Sequence, residues 1–180
     1  MDEYRVLEAM GQELKQANVA QLRLLGSEIA EESFVTGSPR LVELAAACYS
    51  LSKFLEKHYI TGSNKWKAFE KKALERLANA GRLTKIGREE DAEAEIDSMI
   101  EDITDFSEQM SRFQVDVVTK ARIKIATDSY AHGASLGRAC QLAGVNKSLV
   151  LNYIGVTRLS DKYETLNVRE RLASARKIFG

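Results

Sequence analysis

Proline and cysteine are both scarce in this chain of 180 residues, which contains one proline and two cysteines. With a single proline and no low-complexity tract, nothing in the sequence indicates a long disordered segment. Cys48 and Cys140 lie far apart within apolar stretches, which is typical of buried free thiols in a reducing compartment. No apolar run approaches the roughly 20 residues of a membrane helix, and the polar residues 1–5 have no feature of a signal peptide. We therefore expect a soluble, cytoplasmic protein.

Motifs of catalysis and of metal binding are also missing. The sequence contains no Walker A loop, no Gly-x-Gly-x-x-Gly, no His-Glu-x-x-His and no Cys-x-x-Cys. His58 and His132 are the two histidines, and neither has an evident partner that would make it a general base. Neither lies at the Arg-x4–6-His spacing that helical ribonucleases of toxin systems use. We expect no enzymatic activity, no cofactor and no metal.

The first 113 residues carry the apolar periodicity of amphipathic helices. The pattern predicts helices over 4–34, 39–60 and 64–81, followed by another after Gly87. The second of these is apolar on nearly every side, so we place it at the centre of a bundle. Glycine stop signals and serine caps separate the segments. The prediction is an all-α fold with an N-terminal helical bundle of about four helices over residues 1–113.

An acidic helix with a regular apolar seam follows Gly87. The seam residues alternate three- and four-residue steps: Ile96, Met99, Ile103, Phe106, Met110, Phe113 and Val117. Its carboxylates should face the basic side of the preceding helix, which makes the two antiparallel neighbours. The seam fits intramolecular packing or a homodimer equally well. We interpret the acidic run as a solvated face rather than a nucleic-acid mimic. A metal site is disfavoured because no Glu-x-x-His occurs.

The helix is expected to continue through residues 114–130 into a second domain, residues 114–180, which has a helix-turn-helix. Such a motif needs a small residue within its first helix and a glycine at the turn, and Cys140 and Gly144 meet these needs. Apolar residues should line the contact between the two helices: Ala139, Ala143, Val145, Val150 and Tyr153. Asn146 or Ser148 can cap the second helix.

Charge also separates the two parts of the chain. Residues 111–180 hold 12 Lys/Arg against 5 Asp/Glu, whereas residues 1–110 hold 14 against 21. This asymmetry indicates an anionic partner for the basic part, or mutual attraction of the two parts. The side chains expected to contact double-stranded DNA are Ser135, Arg138, Asn146, Lys147, Ser148, Leu151, Asn152 and Arg158. Asparagine suits adenine and lysine suits guanine or phosphate, while Lys120, Arg122 and Lys124 would neutralise the DNA backbone.

Residues 135–145, Ser-Leu-Gly-Arg-Ala-Cys-Gln-Leu-Ala-Gly-Val, resemble the Ser-x-Gly-Arg-Ala-Ala-Glu-Leu-Ala-Gly signature of small prokaryotic antitoxin-like helix-turn-helix proteins. The resemblance covers residues 123–154, and the large N-terminal bundle departs from that family's pattern. Arg138 and Cys140 match the arginine and the small-residue position of the signature. The resemblance implies DNA binding, often in association with a nuclease toxin. The chain also resembles uncharacterised archaeal helical proteins. This second resemblance gives no indication of a particular activity.

The last segment, residues 157–180, reads as a turn and a basic amphipathic helix. That helix would lie along DNA phosphates or, in the reading we favour, pack on the acidic helix. The leading hypothesis is a non-enzymatic DNA-binding protein acting as a transcriptional regulator or antitoxin-like protein, with a homodimer as one of its two open oligomeric states. The alternative hypothesis is a helical protein-interaction scaffold that docks a protein partner through the helix-turn-helix.

Overall fold

The computed structural model describes residues 2–110 and 116–157. Over those two ranges the chain is all-α, with nine helices and no strand, as the sequence predicts. The helices are α1 (Glu3–Lys15), α2 (Val19–Thr36), α3 (Pro39–Leu55), α4 (His58–Thr61), α5 (Asn64–Lys85), α6 (Glu89–Gln109), α7 (Val117–Ala131), α8 (Leu136–Ala143) and α9 (Lys147–Thr157). None of these helices combines the length and the apolar composition needed to cross a bilayer. The predicted C-terminal basic helix and Arg158 lie outside the described residues.

Two predicted helices are each divided in the structure. The helix expected over 4–34 is interrupted between α1 and α2, where Ala17 has a left-handed φ of 52°. The side chain of Asn18 then caps α2 by accepting a hydrogen bond from the backbone N–H of Gln21. The helix expected over 39–60 ends at Leu55, and Lys57 has extended backbone before the short α4. These predictions were wrong because the apolar periodicity continues through both breaks.

The central helix of the bundle is α3, as its apolar composition predicts. Eleven of its 17 residues are buried, and it packs against α2, α6 and α7. The crossing with α2 is close, because a Cβ added at Gly26 would lie 3.0 Å from Cβ of Cys48. At the far end of α3, Phe54 makes edge-on contacts with Phe69 and Phe106, with ring centroids 5.7 and 5.1 Å apart. This end holds the large aromatic part of the core.

The basic and acidic helices, α5 and α6, are antiparallel neighbours whose opposite charges meet. Lys72 pairs with Asp102, and the Arg76 guanidinium lies 2.8 Å from a carboxylate oxygen of Glu95. The prediction of facing charges is therefore confirmed. The expected end of α5 at Gly81 is wrong: the helix runs on to Lys85, and Gly81 is buried within it.

The seam of α6 is used inside the chain. Ile96, Met99 and Ile103 are fully buried in the common core. The expected continuous helix into residues 114–130 is not formed, since Asp116 has an extended ψ of 134° and caps α7 through the N–H groups of Val118 and Thr119. Helix α7 packs on α3, so the buried core continues past residue 113. The domain boundary placed there stays a prediction.

Candidate nucleic-acid interface

Helices α8 and α9 are joined by a tight turn that local sequence specifies. Ser135 caps α8, its hydroxyl accepting a hydrogen bond from the N–H of Arg138. Gly144 ends α8 with a left-handed φ of 62°, a conformation that glycine adopts without steric cost. Two backbone bonds close the turn, from Val145 N–H to the carbonyl of Cys140 and from Gly144 N–H to that of Gln141. This is the Schellman arrangement of a glycine-terminated helix.

The second helix begins at a side-chain cap. The Oδ1 atom of Asn146 accepts a hydrogen bond of 2.8 Å from the N–H of Ser148, and the Asn146 carbonyl accepts from Leu149 and Val150. Of the two capping residues proposed from the sequence, Asn146 therefore supplies the cap. The amide oxygen of Asn146 is therefore already occupied by the helix cap. Asn152, the other asparagine of this region, makes no side-chain hydrogen bond among those described.

Of the five residues expected to line the contact between α8 and α9, Val145 and Tyr153 are partly buried and the other three are buried. Ala139, Cys140, Ala143 and Val150 are buried. Helix α7 packs against both α8 and α9. Burial raises the pKa of the Cys140 thiol, with Lys147 acting in the opposite direction, which favours the protonated and less reactive form of this thiol.

Seven of the eight residues predicted to contact DNA are exposed. They are Ser135, Arg138, Asn146, Lys147, Ser148, Leu151 and Asn152. Ser148, Leu151 and Asn152 follow a spacing of three and four residues, which aligns them along the outer face of α9. Val150 is opposite and fully buried. The eighth, Arg158, lies outside the described residues.

Lys147 reaches back over the beginning of α8. Its Nζ atom lies 3.6 Å from the position that a Cβ would occupy on Gly137. Gly137 is in the first turn of α8, where the helix dipole already contributes positive potential. An ammonium group and a helix N-terminus at the same place form a locally positive surface suited to an anion. Arg138 points elsewhere, with a guanidinium nitrogen 3.7 Å from the Cβ position of Gly37 in the α2–α3 turn.

No acidic residue occurs between Asp128 and Asp161, so α8 and α9 carry Arg138 and Lys147 without any carboxylate of their own. Neither cation forms an ion pair with another residue in the described part of the chain. The cations expected from α7 behave differently. Arg122 makes a two-oxygen contact with Glu43 at 2.7 Å, and Lys124 pairs with Asp128. Of the three α7 cations assigned to backbone neutralisation, only Lys120 is exposed without a described ion pair.

More apolar residues of α9 are exposed than the sequence predicts. Leu151 was expected to be outward and is 52% exposed, but Leu149 and Val156 are also exposed, at 44% and 85%. Leu149 and Val156 are seven residues apart and therefore lie along one edge of the helix. The periodicity of α9 could have revealed this edge, because its apolar residues are too many for one buried face.

The described residues hold no group of three or more histidine, cysteine or acidic side chains placed to bind a metal ion. His58 and His132 are both exposed and far apart in the chain.

No family model matches the chain, and no curated protein or solved structure matches it either. The resemblance of residues 123–154 to antitoxin-like proteins therefore stays a prediction, and so does the archaeal one.

Proposed function

We propose that this protein is a non-enzymatic, double-stranded DNA-binding protein that uses α8 and α9 as a helix-turn-helix. The observation that carries the proposal is the outer surface of this unit. Lys147, Ser148 and Asn152 are exposed together on it, and no carboxylate lies between residues 129 and 160 to repel a phosphate.

In this proposal the phosphate backbone contacts the beginning of α8. A phosphate there would accept hydrogen bonds from free N–H groups of the first helical turn and would neutralise Lys147. The absence of a side chain at Gly137 leaves room for close approach. Ser135 acts through its cap, which holds the first turn of α8 in place, and Arg138 would contact a neighbouring phosphate.

Sequence would be read by the outer face of α9 lying in the major groove. Asn152 is the residue proposed to recognise adenine, because bidentate recognition needs both the oxygen and the nitrogen of the amide. Asn146 has its oxygen committed to the helix cap. Leu151 would contact the methyl group of thymine, and Ser148 either a base or a phosphate.

A homodimer, which regulators of this kind commonly form on paired half-sites, would require a surface other than the α6 seam. The seam residues Ile96, Met99 and Ile103 are buried within the chain. Light scattering after size exclusion would give the mass in solution.

A gel-shift titration with random duplex tests the proposal. Binding should weaken steeply between about 50 and about 200 mM salt, since each neutralised phosphate adds about −0.9 to the log–log slope. Lys147→Glu should weaken binding by about tenfold or more, and Arg138→Glu by a similar or smaller factor, because each replaces a phosphate contact with a repulsion. The matched control is Lys67→Glu, an equal charge change on the exposed face of α5, which should leave affinity unchanged.

Absence of any duplex binding at low salt would contradict the proposal. Equal losses for Lys147→Glu and Lys67→Glu would also contradict it, because affinity would then follow net charge and not this surface.

A second candidate function, docking of a protein partner, is supported by the apolar residues of α9. Leu149, Leu151 and Val156 are each more than two-fifths exposed on a helix of 11 residues. Exposed leucine and valine are more typical of protein contacts than of phosphate contacts. Leu149→Glu would abolish such docking, whereas DNA binding through the outer face would be reduced far less than by Lys147→Glu.

A further inference from the structure

A cavity of about 340 Å³ lies where α9 meets the bundle. It is bounded by α2, α3, α7 and α9, and its size falls within the range of small-molecule sites, about 300–1,000 Å³. Small residues form its apolar floor: Gly26, Ala30, Ala45 and Ala121. The helices α2 and α3 cross closely because Gly26 lies directly against α3. The short side chains beside this crossing leave the space of the cavity open.

Two half-buried tyrosines line the cavity, Tyr49 from α3 and Tyr153 from α9. Burial raises the pKa of Tyr49, and the proximity of Tyr153 raises it further. The phenol of Tyr49 therefore keeps its proton at physiological pH and can donate a hydrogen bond into the cavity. Flat rings beside a floor of alanine and glycine suit a flat apolar group.

Three cationic side chains also line the cavity. Arg23, Lys53 and Lys124 line it, together with one carboxylate, Asp128. Asp128 pairs with Lys124, while Glu56 pairs with both Lys53, at 3.0 Å, and Arg23.

Three cations thus share two carboxylates, which leaves the cluster positive. The pKa of Lys53 is lowered by its burial and by the nearby charges of Arg23, Lys57 and Lys124. An additional negative charge would relieve this repulsion.

We propose that this cavity binds a small organic anion with a flat apolar body, its acidic group facing Lys53 and Lys124 and its body lying against Tyr49 and Tyr153. Lys53 and Lys124 would hold the acid by charge-assisted hydrogen bonds, and Arg23 would add positive potential beside them. The larger groove between α1 and α5, about 570 Å³, does not share this chemistry, since it is open and lined by apolar residues with both signs of charge at its rim.

Fluorescence titration of the full chain with a matched pair of dyes tests the site. The probes are 8-anilinonaphthalene-1-sulfonate and its uncharged analogue N-phenyl-1-naphthylamine, which share an aromatic body and differ in the acidic group. We expect one sulfonate dye to bind per chain, and the uncharged dye to bind at least about tenfold more weakly. Lys53→Gln should weaken the sulfonate dye and leave the uncharged one unaffected, while Lys67→Gln should change neither.

A space-filling variant locates the bound dye. Ala30→Phe fills the cavity and should abolish binding of the sulfonate dye, whereas Ala78→Phe, which fills the α1–α5 groove, should not. Circular dichroism verifies that each variant is folded, and Ser27→Leu fills the same cavity from an exposed position should Ala30→Phe fail to fold. No dye binding, equal binding of both dyes, or insensitivity to Lys53→Gln and Ala30→Phe would each overturn the proposal.

Because Tyr153 immediately follows Asn152, an anion in the cavity would contact the helix proposed to read DNA. This consequence rests on the proposed function. Saturating sulfonate dye should change the affinity of wild-type protein for duplex and leave that of Ala30→Phe unchanged. An unchanged wild-type affinity with dye bound contradicts the coupling alone, whereas a lack of duplex binding without dye contradicts the proposed function instead.

Discussion

The helix pairs α5–α6 and α8–α9 differ in whether their cations are paired with carboxylates of the same pair of helices. In the first, the cations of α5 meet carboxylates of α6, as in the pairs of Arg76 with Glu95 and of Lys72 with Asp102. In the second, Arg138 and Lys147 have no carboxylate on either helix. Both pairs bury apolar residues, so the core does not distinguish them. This difference teaches that the number of cations alone is a poor predictor of an anionic partner. It matters more whether those cations already form ion pairs within the fold.

The same contrast appears inside α7. Arg122 is matched by Glu43 and Lys124 by Asp128, so these two cations offer less to an external phosphate than their positions in the sequence suggest. Lys120 is exposed. The cationic surface next to α9 is therefore smaller than the net charge of residues 111–180 indicates, and the proposed interface depends mainly on Lys147 and the beginning of α8.

The largest effect is expected from the aromatic end of the core next to α5 and α6. Phe54→Ala should lower the free energy of unfolding by about 3–5 kcal/mol, because it leaves a cavity among Trp66, Phe69 and Phe106. Val150→Ala is the corresponding truncation on the buried side of α9. It removes two methyl groups and should lower the free energy of unfolding by about 2 kcal/mol. Urea unfolding measures both. A larger loss for Val150→Ala would show that the α8–α9 contact, and not the aromatic end, dominates stability.

The turn between α8 and α9 should be sensitive to a single methyl group. Gly144→Ala places a side chain at a left-handed φ of 62° and should cost about 1–2 kcal/mol. Gly155→Ala is the matched control: a Cβ there meets nothing within 4 Å, so improved helix propensity should stabilise the protein by up to about 1 kcal/mol. Thermal unfolding compares the two. Equal effects would mean that the backbone conformation at Gly144 is not what specifies the turn.

The matched charges of α5 and α6 should contribute the least. Arg76→Gln is expected to lower the free energy of unfolding by about 0–1 kcal/mol, since the Arg76 side chain is partly exposed and such pairs are screened by salt. Duplex affinity should not change. Urea unfolding at low and high salt and the gel-shift titration provide the two readouts, and a loss of duplex affinity would place part of the interface on α5.

Several features were predictable because a local signal specifies them. The heptad spacing of Ile96, Met99 and Ile103 predicted the buried face of α6, and the glycine at 144 followed by Asn146 predicted the end of α8 and the start of α9. Each of these depends on residues within one or two turns of helix. All-α architecture follows from summing such signals along the chain.

The features that were missed depend on residues distant in the sequence. The sequence predicts a helix end at Gly81, but this glycine packs near Tyr4 and Leu7 of α1 within a continuous helix. The pairing of Arg122 with Glu43 joins residues 79 positions apart. The break at Ala17 has no glycine to announce its left-handed φ. The cavity beneath α9 is formed by four helices, so no single segment encodes it.

Protection of a single exposed cysteine would test most directly whether duplex DNA lies on α9. Cys48 and Cys140 are buried, and burial raises the pKa of each thiol, so they react slowly and give a low background. Gly155→Cys places a thiol on the exposed outer face of α9, and Asp97→Cys places one on the exposed face of α6. With saturating duplex, maleimide labelling should slow about tenfold or more at position 155 and stay unchanged at position 97. Unchanged labelling at position 155, with duplex bound, would contradict the proposed interface.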